Sequence, residues 1–111
     1  MEIDSLELEH KIELPKTGTY LFESDIHYLR HSLGFYDWQY TEHQDKFETY
    51  RNRYCAEYPS SAYNIMENLV NRGLAGRSST KRDYPYYFYY ITETGIKALS
   101  EYLNTEIIEK Q

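Results

Sequence analysis

The sequence predicts a single α+β domain, and the clearest part of that prediction lies between Ser60 and Leu103. A helix-like stretch ends at Gly73, since glycine often follows the last helical residue. The aromatic and β-branched run Tyr84–Ile91 is typical of a strand, and Thr92 is a suitable N-cap for another helix. Helix, two-stranded hairpin and helix follow one another in the C-terminal half of a winged helix-turn-helix domain. We therefore predict that fold, with about three to four helices, a two-stranded wing and an extended N-terminal arm or edge strand.

The size and composition indicate one domain with a tyrosine-rich surface. The chain has 111 residues, enough for one hydrophobic core. Hydrophobic residues make up 41%, but aromatic residues make up 17%, and most of them are tyrosine. Because tyrosine combines apolar area with a hydroxyl, such a domain is expected to carry a binding surface. No run approaches the roughly 20 apolar residues that span a bilayer, so we expect no membrane partner.

Two further features bear on location and reactivity. The N-terminus is acidic and alternating, which is unlike a secretory signal. Cys55 is the single cysteine, so no disulfide forms within the chain and a cytoplasmic location is expected. The residues around Cys55 supply no base for a nucleophile, and we expect a small, half-buried structural residue there.

The formal net charge of −6 is unevenly distributed along the chain. Residues 1–50 contain eleven acids against four lysines and arginines, whereas residues 51–83 contain six lysines and arginines against three acids. DNA affinity depends on neutralising phosphates, so the overall charge argues against a general DNA coat. A confined basic patch remains compatible with local contact.

The N-terminal stretch is predicted to be a separate element. Residues 3–14 alternate loosely between apolar and charged, which favours an extended strand, and Pro15 and Gly18 end it. We therefore divide the chain into an acidic arm or edge strand, residues 1–18, and a winged-helix domain, residues 19–111. An arm that mimics phosphates is the alternative; a solvated edge strand is favoured.

A first helix is predicted over Asp25–Leu33. Ser24 is a suitable N-cap, Ile26 and Leu29 recur on one face, and Gly34 is a natural helix end. A second helix is predicted over Glu42–Cys55, because Thr41 and Gln44 form a capping-box pattern. The competing interpretation is a short strand over Tyr50–Ala56.

The last two helices begin at clear caps. Ser60 or Ser61 caps the third helix, which Gly73 ends. Thr92 caps the last one, and its apolar stripe continues to Ile107, so we expect it to run to about Ile108. This extended C-terminal helix is the expected surface of a homodimer.

Strand Tyr84–Ile91 is predicted to be aromatic on both faces. Alternation places its side chains in two sets. The sets are Tyr86, Phe88 and Tyr90 on one side, and Tyr87, Tyr89 and Ile91 on the other. One set should pack on the core, which leaves the other with large exposed rings.

Two sequence patterns are similar to known families. The runs Leu69–Leu74 (LVNRGL) and Tyr89–Leu99 (YYITETGIKAL) resemble the winged-helix half of PadR-like and MarR-like regulators. Over about residues 25–100 the chain also resembles small uncharacterised bacteriophage winged-helix-like proteins, through LRHSLG, YRN, LVNRGL and TETG. The resemblance implies a phage or prophage origin and a host-cell cytoplasmic location. It also indicates that Arg30, His31, Tyr50, Arg51 and Asn52 matter.

The sequence gives no sign of catalysis. His27 and His31 lie one helical turn apart, but no third or fourth ligand is indicated, so we expect no metal site. Phosphate-cradling glycine loops, cysteine-rich zinc patterns and nucleophile elbows are not found in the sequence. We therefore expect a protein that is not an enzyme and uses no cofactor.

DNA is the first-choice partner. In a winged helix-turn-helix domain, the N-terminal part of the recognition helix enters the major groove. The residues expected there are Ser61, Tyr63, Asn64 and Asn68. Cations expected to contact phosphates or the minor groove are Arg51, Arg53, Arg77, Lys81 and Arg82. The predicted recognition helix has no lysine or arginine before Arg72, which weakens this prediction.

A host or defence protein is the alternative partner. Tyr84, Tyr86 and Tyr87 belong to a residue type that is favoured at interfaces. An anti-defence or host-takeover inhibitor would use these tyrosines together with the acidic half of the chain. Charge placement separates the two: convergence of the cations on the recognition helix favours DNA, and neutralisation of that face favours protein.

Overall fold

The computed structural model describes residues 10–34, 46–78 and 83–109, which form an α+β fold with three helices and several small sheets. The helices are α1 (Glu23–Ser32), α2 (Ser61–Asn71) and α3 (Glu93–Leu103). The strands are β1 (Ile12–Leu14), β2 (Thr19–Leu21), β3 (Lys46–Thr49), β4 (Tyr54–Glu57), β5 (Ala75–Arg77), β6 (Tyr86–Ile91) and β7 (Glu106–Glu109).

A three-stranded antiparallel sheet in the order β4–β6–β5 organises the described residues. Its register places Cys55 beside Phe88 and Gly76 beside Tyr90. Strands β1 and β2 form a separate antiparallel hairpin, and β3 pairs with β7 in a parallel manner. The predicted pairing of two strands between α2 and α3 is confirmed, and β4 adds a third strand on the other side of β6.

The core lies between the three helices and one face of this sheet. Leu29 of α1, Leu69 of α2 and Leu99 of α3 are fully buried there. Tyr89 and Ile91 of β6 face the same core, with 1% and 2% of their surfaces exposed. The prediction that one face of this strand packs on the core is confirmed.

The end of α2 and the start of α3 are built together. Gly73 has a φ of +77°, and the backbone N–H of Leu74 donates to the Leu69 carbonyl at 2.9 Å, which completes a Schellman end. Thr92 caps α3 by accepting from the Gly95 N–H, and its backbone N–H donates to the Leu74 carbonyl. A Cβ on Gly95 would lie 2.1 Å from that carbonyl oxygen. Close packing of these two turns therefore explains the glycine in each of the sequence patterns LVNRGL and TETG.

The other predicted boundaries of α1 and α2 are largely correct. Ser60 caps α2 by accepting from the Tyr63 N–H, as expected. Gly34 ends α1 with a φ of +70°. The predicted N-cap of α1, Ser24, is wrong, because the helix begins two residues earlier than predicted, after Phe22. The Asp25 carboxylate accepts from the Phe22 N–H at 3.0 Å, and this bond fixes the earlier start.

The predicted helix over Glu42–Cys55 is wrong for residues 46–55, which contain β3 and the start of β4. Phe47 and Thr49 are buried while their neighbours are exposed, so the pattern has a period of two rather than 3.6. The competing strand interpretation is confirmed in part, since β4 covers Tyr54–Glu57. The predicted cap at Thr41 and Gln44 lies outside the described residues.

The predicted continuation of the last helix to Ile108 is also wrong. Asn104 adopts a left-handed conformation with a φ of 52° and ends α3 after Leu103. Ile107 and Ile108 then pair with β3 as part of β7. Both side chains are half-buried, so the extended helical surface on which the expected homodimer depended is not formed.

Candidate binding surface

Helix α2 presents an uncharged polar stripe to solvent. Ser61, Asn64 and Asn68 are exposed, and their spacing places them on one side of the helix. These three predicted binding residues are therefore brought together. Asn68 also accepts from Arg72 through its side-chain oxygen at 3.3 Å, which ties the stripe to the end of the helix.

A cluster of four tyrosines surrounds the first turn of α2, and we call it the tyrosine cluster: Tyr58, Tyr63, Tyr84 and Tyr87. Tyr58 meets Tyr63 edge-on, with ring centroids 4.8 Å apart, and Tyr63 lies 5.2 Å from Tyr87. Tyr84 lies 6.3 Å from Tyr58. Tyr58 and Tyr84 remain 43% and 63% exposed, so the cluster presents rings to solvent as well as to itself.

Two Tyr-Pro turns hold the cluster in place. The backbone N–H of Tyr58 donates to the Pro85 carbonyl at 2.7 Å, which joins the turn before α2 to the turn before β6. Both Tyr-Pro peptide bonds, at Pro59 and Pro85, are cis. Tyr58 was not among the residues predicted to bind a partner. The sequence feature that could have indicated Tyr58 is the dipeptide Tyr58-Pro59, which has the same residues as Tyr84-Pro85.

The cation nearest the cluster, Arg77, is bound to an acid. The Arg77 Nε donates to Glu67 Oε2 at 2.9 Å, and its Nη2 donates to Glu67 Oε1. The Tyr89 hydroxyl donates to Glu67 Oε2 at 2.7 Å. Partial burial opposes ionisation of Glu67, but the hydrogen bonds from Arg77 and Tyr89 outweigh it and hold the pKa of Glu67 below its ordinary value.

The same Glu67 contact affects the tyrosine side chains. Burial and the hydrogen bond to Glu67 raise the pKa of the Tyr89 hydroxyl well above its ordinary value. The guanidinium of Arg77 also lies 5.3 Å from the centroid of the Tyr87 ring. Arg77 is therefore engaged by Glu67 and packs against the tyrosine cluster, while 39% of its side chain stays exposed.

The cation at the end of α2, Arg72, is likewise engaged inside the protein. Its Nη1 contacts the Asp25 carboxylate at 2.8 Å, and its Nη2 donates to the Tyr20 carbonyl. The guanidinium also lies 4.2 Å from the centroid of the Tyr20 ring. Arg72 thus joins α2 to α1 and to strand β2, and it is mostly buried.

Arg51 and Arg53, the other predicted cations among the described residues, lie away from α2. The Arg53 guanidinium lies over the Phe88 ring, 5.0 Å from its centroid, on the sheet face opposite the helices. Arg51 lies beside Gly34, at the end of α1, and its Nε donates to the Arg53 carbonyl. Tyr86 shares the face of Phe88 and is 48% exposed. The predicted contacts Lys81 and Arg82 lie outside the described residues.

Asn52, one of the residues indicated by the family resemblance, has a structural contact in the described chain. Its side-chain oxygen accepts from the Ile91 N–H at 2.6 Å, and its Nδ2 donates to the Ile91 carbonyl at 2.9 Å. Nδ2 also contacts the Glu109 carboxylate at 3.2 Å. Asn52 therefore joins the end of β6 to β7.

The two histidines of α1 and the lengths of the helices bear on metal binding and on membrane insertion. His27 and His31 are ring neighbours, with centroids 6.2 Å apart. Within residues 10–34, 46–78 and 83–109, no three histidine, cysteine or acidic side chains converge as metal ligands would. The helices of these segments are all too short or too polar to cross a bilayer.

Two open grooves lie among the described residues. One of about 480 Å³ lies where α3 meets the turn after β1, and it includes Lys16, Thr17 and Glu101. The Glu101 carboxylate already accepts from the backbone N–H groups of Lys16 and Thr17, at 2.8 and 2.9 Å. The second groove, about 390 Å³, lies beside Arg53 and Tyr90.

No protein-family model, curated protein or solved structure matches this chain.

Proposed function

We propose that this chain is a non-enzymatic binding protein with a winged-helix-like C-terminal half. Helix α2 takes the place of the recognition helix, and β5 with β6 takes the place of the wing. The partner is a protein, bound through the tyrosine cluster and the adjoining Ser61 and Asn64. The observation that carries this proposal is the cluster itself: two exposed rings, supported by two half-buried ones, at the exposed end of α2.

Charge placement favours protein over DNA among the described residues. Helix α2 contains no lysine or arginine. The two arginines nearest to it, Arg72 and Arg77, form ion pairs with Asp25 and Glu67. A cation already paired with a carboxylate contributes little to the counterion release on which DNA affinity depends. The described face therefore has the aromatic character of a protein interface rather than the positive charge of a DNA-binding surface.

The arrangement of the rings suits a protein partner. Tyrosine buries a large area while losing little conformational entropy, and its hydroxyl satisfies polar groups at the interface. Tyr63 and Tyr87 are already held by their neighbours, so Tyr58 and Tyr84 are the exposed anchors. Preorganised rings of this kind reduce the cost of ordering on binding. The resemblance to bacteriophage proteins makes a host or defence protein the partner that we propose.

DNA is the second candidate, supported by the polar stripe on α2. Ser61, Asn64 and Asn68 are exposed on one side of that helix, and asparagine can read adenine through a paired donor and acceptor. Phosphate contacts would then have to come from Lys81 and Arg82. If DNA is the partner, replacing both of these with alanine weakens binding and flattens its salt dependence in a gel-shift titration. Unchanged affinity and salt slope would exclude the wing contact.

An affinity capture experiment tests the proposed function directly. The full chain is immobilised and incubated with host lysate, with and without nuclease treatment. We expect a protein to be retained after nuclease treatment and to be lost with Tyr84→Ala and Tyr58→Ala. The matched control is Tyr102→Ala, on α3, because Tyr102 is similarly exposed at 40%. Loss of all retained protein after nuclease treatment would contradict the proposal and favour DNA.

A further inference from the structure

The sheet face that points away from the helices carries a regular set of side chains, which we call the outer sheet face. Strand register places β4 and β6 positions beside each other on this face. Its residues are Cys55 and Glu57 of β4, Arg53 just before that strand, and Tyr86, Phe88 and Tyr90 of β6. Cys55 and Phe88 form the middle row, between Glu57 with Tyr86 on one side and Arg53 with Tyr90 on the other.

This face is unusually aromatic for a surface in contact with water. An antiparallel sheet with one solvated face normally presents polar residues there. Here Tyr86 and Tyr90 are 48% and 44% exposed, and Phe88 lies between them. An exposed aromatic patch with charges at its border is typical of an interaction surface.

The Tyr90 ring extends the outer sheet face over β5. A Cβ on Gly76 would lie only 2.2 Å from Cζ of Tyr90, so the ring occupies the space that glycine leaves. The Arg53 guanidinium lies over the Phe88 ring, and these two residues border the open groove of about 390 Å³ together with Tyr90. Rings beside an open groove leave room for the side chains of a second sheet to interdigitate.

The charges of this face are arranged symmetrically about its middle row. Arg53 and Glu57 have opposite charge and lie two positions on either side of Cys55, separated by about 13 Å along the strand. A two-fold axis in the plane of the face, perpendicular to the strands at Cys55, would exchange the two ends. Arg53 of one copy then lies opposite Glu57 of the other, and Phe88 lies opposite Phe88.

We propose that the outer sheet face binds a second copy of this chain, as a two-fold dimer with the two sheets stacked. The dimer is held by Tyr86, Phe88 and Tyr90 at its centre and by two Arg53–Glu57 ion pairs at its ends. This inference does not rest on the proposed function, since none of its residues belongs to the tyrosine cluster.

Charge and size decide the kind of occupant and the strength of binding. Single-stranded nucleic acid would require a positive groove, whereas Arg53 is accompanied here by the acids Glu57 and Asp83. A sheet of three short strands offers a face of about 20 × 14 Å, which is well below the ~800 Å² per partner of a standard interface. The dimer is therefore weak and forms with increasing concentration.

Charge reversal provides the test. The weight-average mass of the full chain is measured by sedimentation over a wide concentration range. Wild type is expected to approach a dimer. Arg53→Glu alone or Glu57→Arg alone places like charges opposite each other and weakens the dimer by about tenfold or more. The double variant, Arg53→Glu with Glu57→Arg, restores it. Because both residues are exposed, none of these variants should impair folding.

A thiol crosslink gives an independent measurement at the axis. Stacked sheets lie ~10 Å apart, which is too far for a direct disulfide but within reach of a bis-maleimide crosslinker of about that length. Cys55 is exposed, and its crosslinked dimer should form in wild type and not in Phe88→Asp. Tyr102→Ala is the control and should crosslink normally.

Three results would overturn the proposal. The first is a monomer at every concentration, and the second is a dimer that neither single charge reversal affects. The third is a monomer that binds a fluorescent oligothymidine through Phe88, which would assign the face to nucleic acid.

Discussion

The two faces of strand β6 are made of similar side chains and have opposite fates. Tyr87, Tyr89 and Ile91 face the helices, and Tyr89 is 1% exposed. On the other side, Tyr86 and Tyr90 are nearly half exposed. Strand alternation separates the two sets, but aromatic content alone does not distinguish them.

The neighbours of each face explain the difference. On the core side, the small residues Ala56 and Ala75 leave room for large rings, and both are buried. Glu67 accepts the Tyr89 hydroxyl, so this ring is buried without an unsatisfied polar group. On the outer side, the neighbours Cys55 and Glu57 are exposed. A tyrosine of β6 thus belongs to the core where small residues on the neighbouring strands leave space and a helix supplies a partner for its hydroxyl.

The largest expected effect is the loss of the buried ring. Tyr89→Ala should lower the free energy of unfolding by about 3–5 kcal/mol, the range for truncating a large buried aromatic residue. Tyr90→Ala should cost about 1 kcal/mol or less, because this ring is exposed. Urea unfolding of both variants measures the difference. Equal losses of unfolding free energy in the two variants would show that both faces of β6 contribute equally to stability.

The next effect concerns the hydroxyl of Tyr89. Tyr89→Phe keeps the ring and removes the hydrogen bond to Glu67, and it should cost about 1–2 kcal/mol. The matched control is Tyr86→Phe on the exposed face, which should leave the unfolding midpoint in urea unchanged. If Tyr89→Phe leaves the free energy of unfolding unchanged, the hydrogen bond to Glu67 does not stabilise the fold.

The pH dependence of stability gives a third effect. The pKa of Glu67 is lowered in the folded protein, mainly because bonds from Arg77 and Tyr89 outweigh its burial. Its contribution to stability is therefore complete above the unfolded pKa, near 4.5, and is lost as the pH falls through the folded value. Glu67→Gln should be less stable than wild type at neutral pH, with a shallower loss below pH 4.5, measured by thermal unfolding. If the stability of wild type and of Glu67→Gln falls in parallel as the pH is lowered, ionisation of Glu67 does not contribute to the stability of the fold.

The smallest expected effect on stability is at Gly76. Gly76→Ala forces the end of the Tyr90 ring to move, and the loss of contact is offset by reduced freedom in the unfolded chain. The free energy of unfolding should change by about 0.5 kcal/mol or less. The concentration-dependent association of the chain should weaken in the same variant, because Tyr90 is lifted from the face. A large loss of stability would instead place Tyr90 among the core residues.

The sequence predicted best where local chemistry decides the structure. Ser60, Gly73 and Thr92 marked helix ends correctly, because capping is a property of a few adjacent residues. The sequence-based predictions were wrong where pairing between segments that are distant in the chain determines the secondary structure. Residues 46–49 and 106–109 are strands because they pair with each other, and neither segment shows that partner locally.

The arrangement of the predicted site residues could be derived from the sequence only within one element. Helix spacing places Ser61 and Asn64 on one side of α2. Tyr63 and Tyr84 are linked through Tyr58, which was not among the predicted residues. The fate of the arginines could not be predicted, because Arg72 and Arg77 are paired with residues 47 and 10 positions away. Ion pairing between elements, rather than local charge count, sets the character of the surface.

Tyrosine nitration with mass-spectrometric detection, with and without the captured partner, tests the central claim most directly. In the unbound protein, Tyr50 and Tyr84, at 78% and 63% exposure, should react readily, while Tyr89 should stay unmodified. With the partner bound, Tyr58 and Tyr84 should become protected and Tyr50 should react as before. Nitration of Tyr84 at the same rate in the free and bound protein would contradict the claim that the tyrosine cluster is the binding surface.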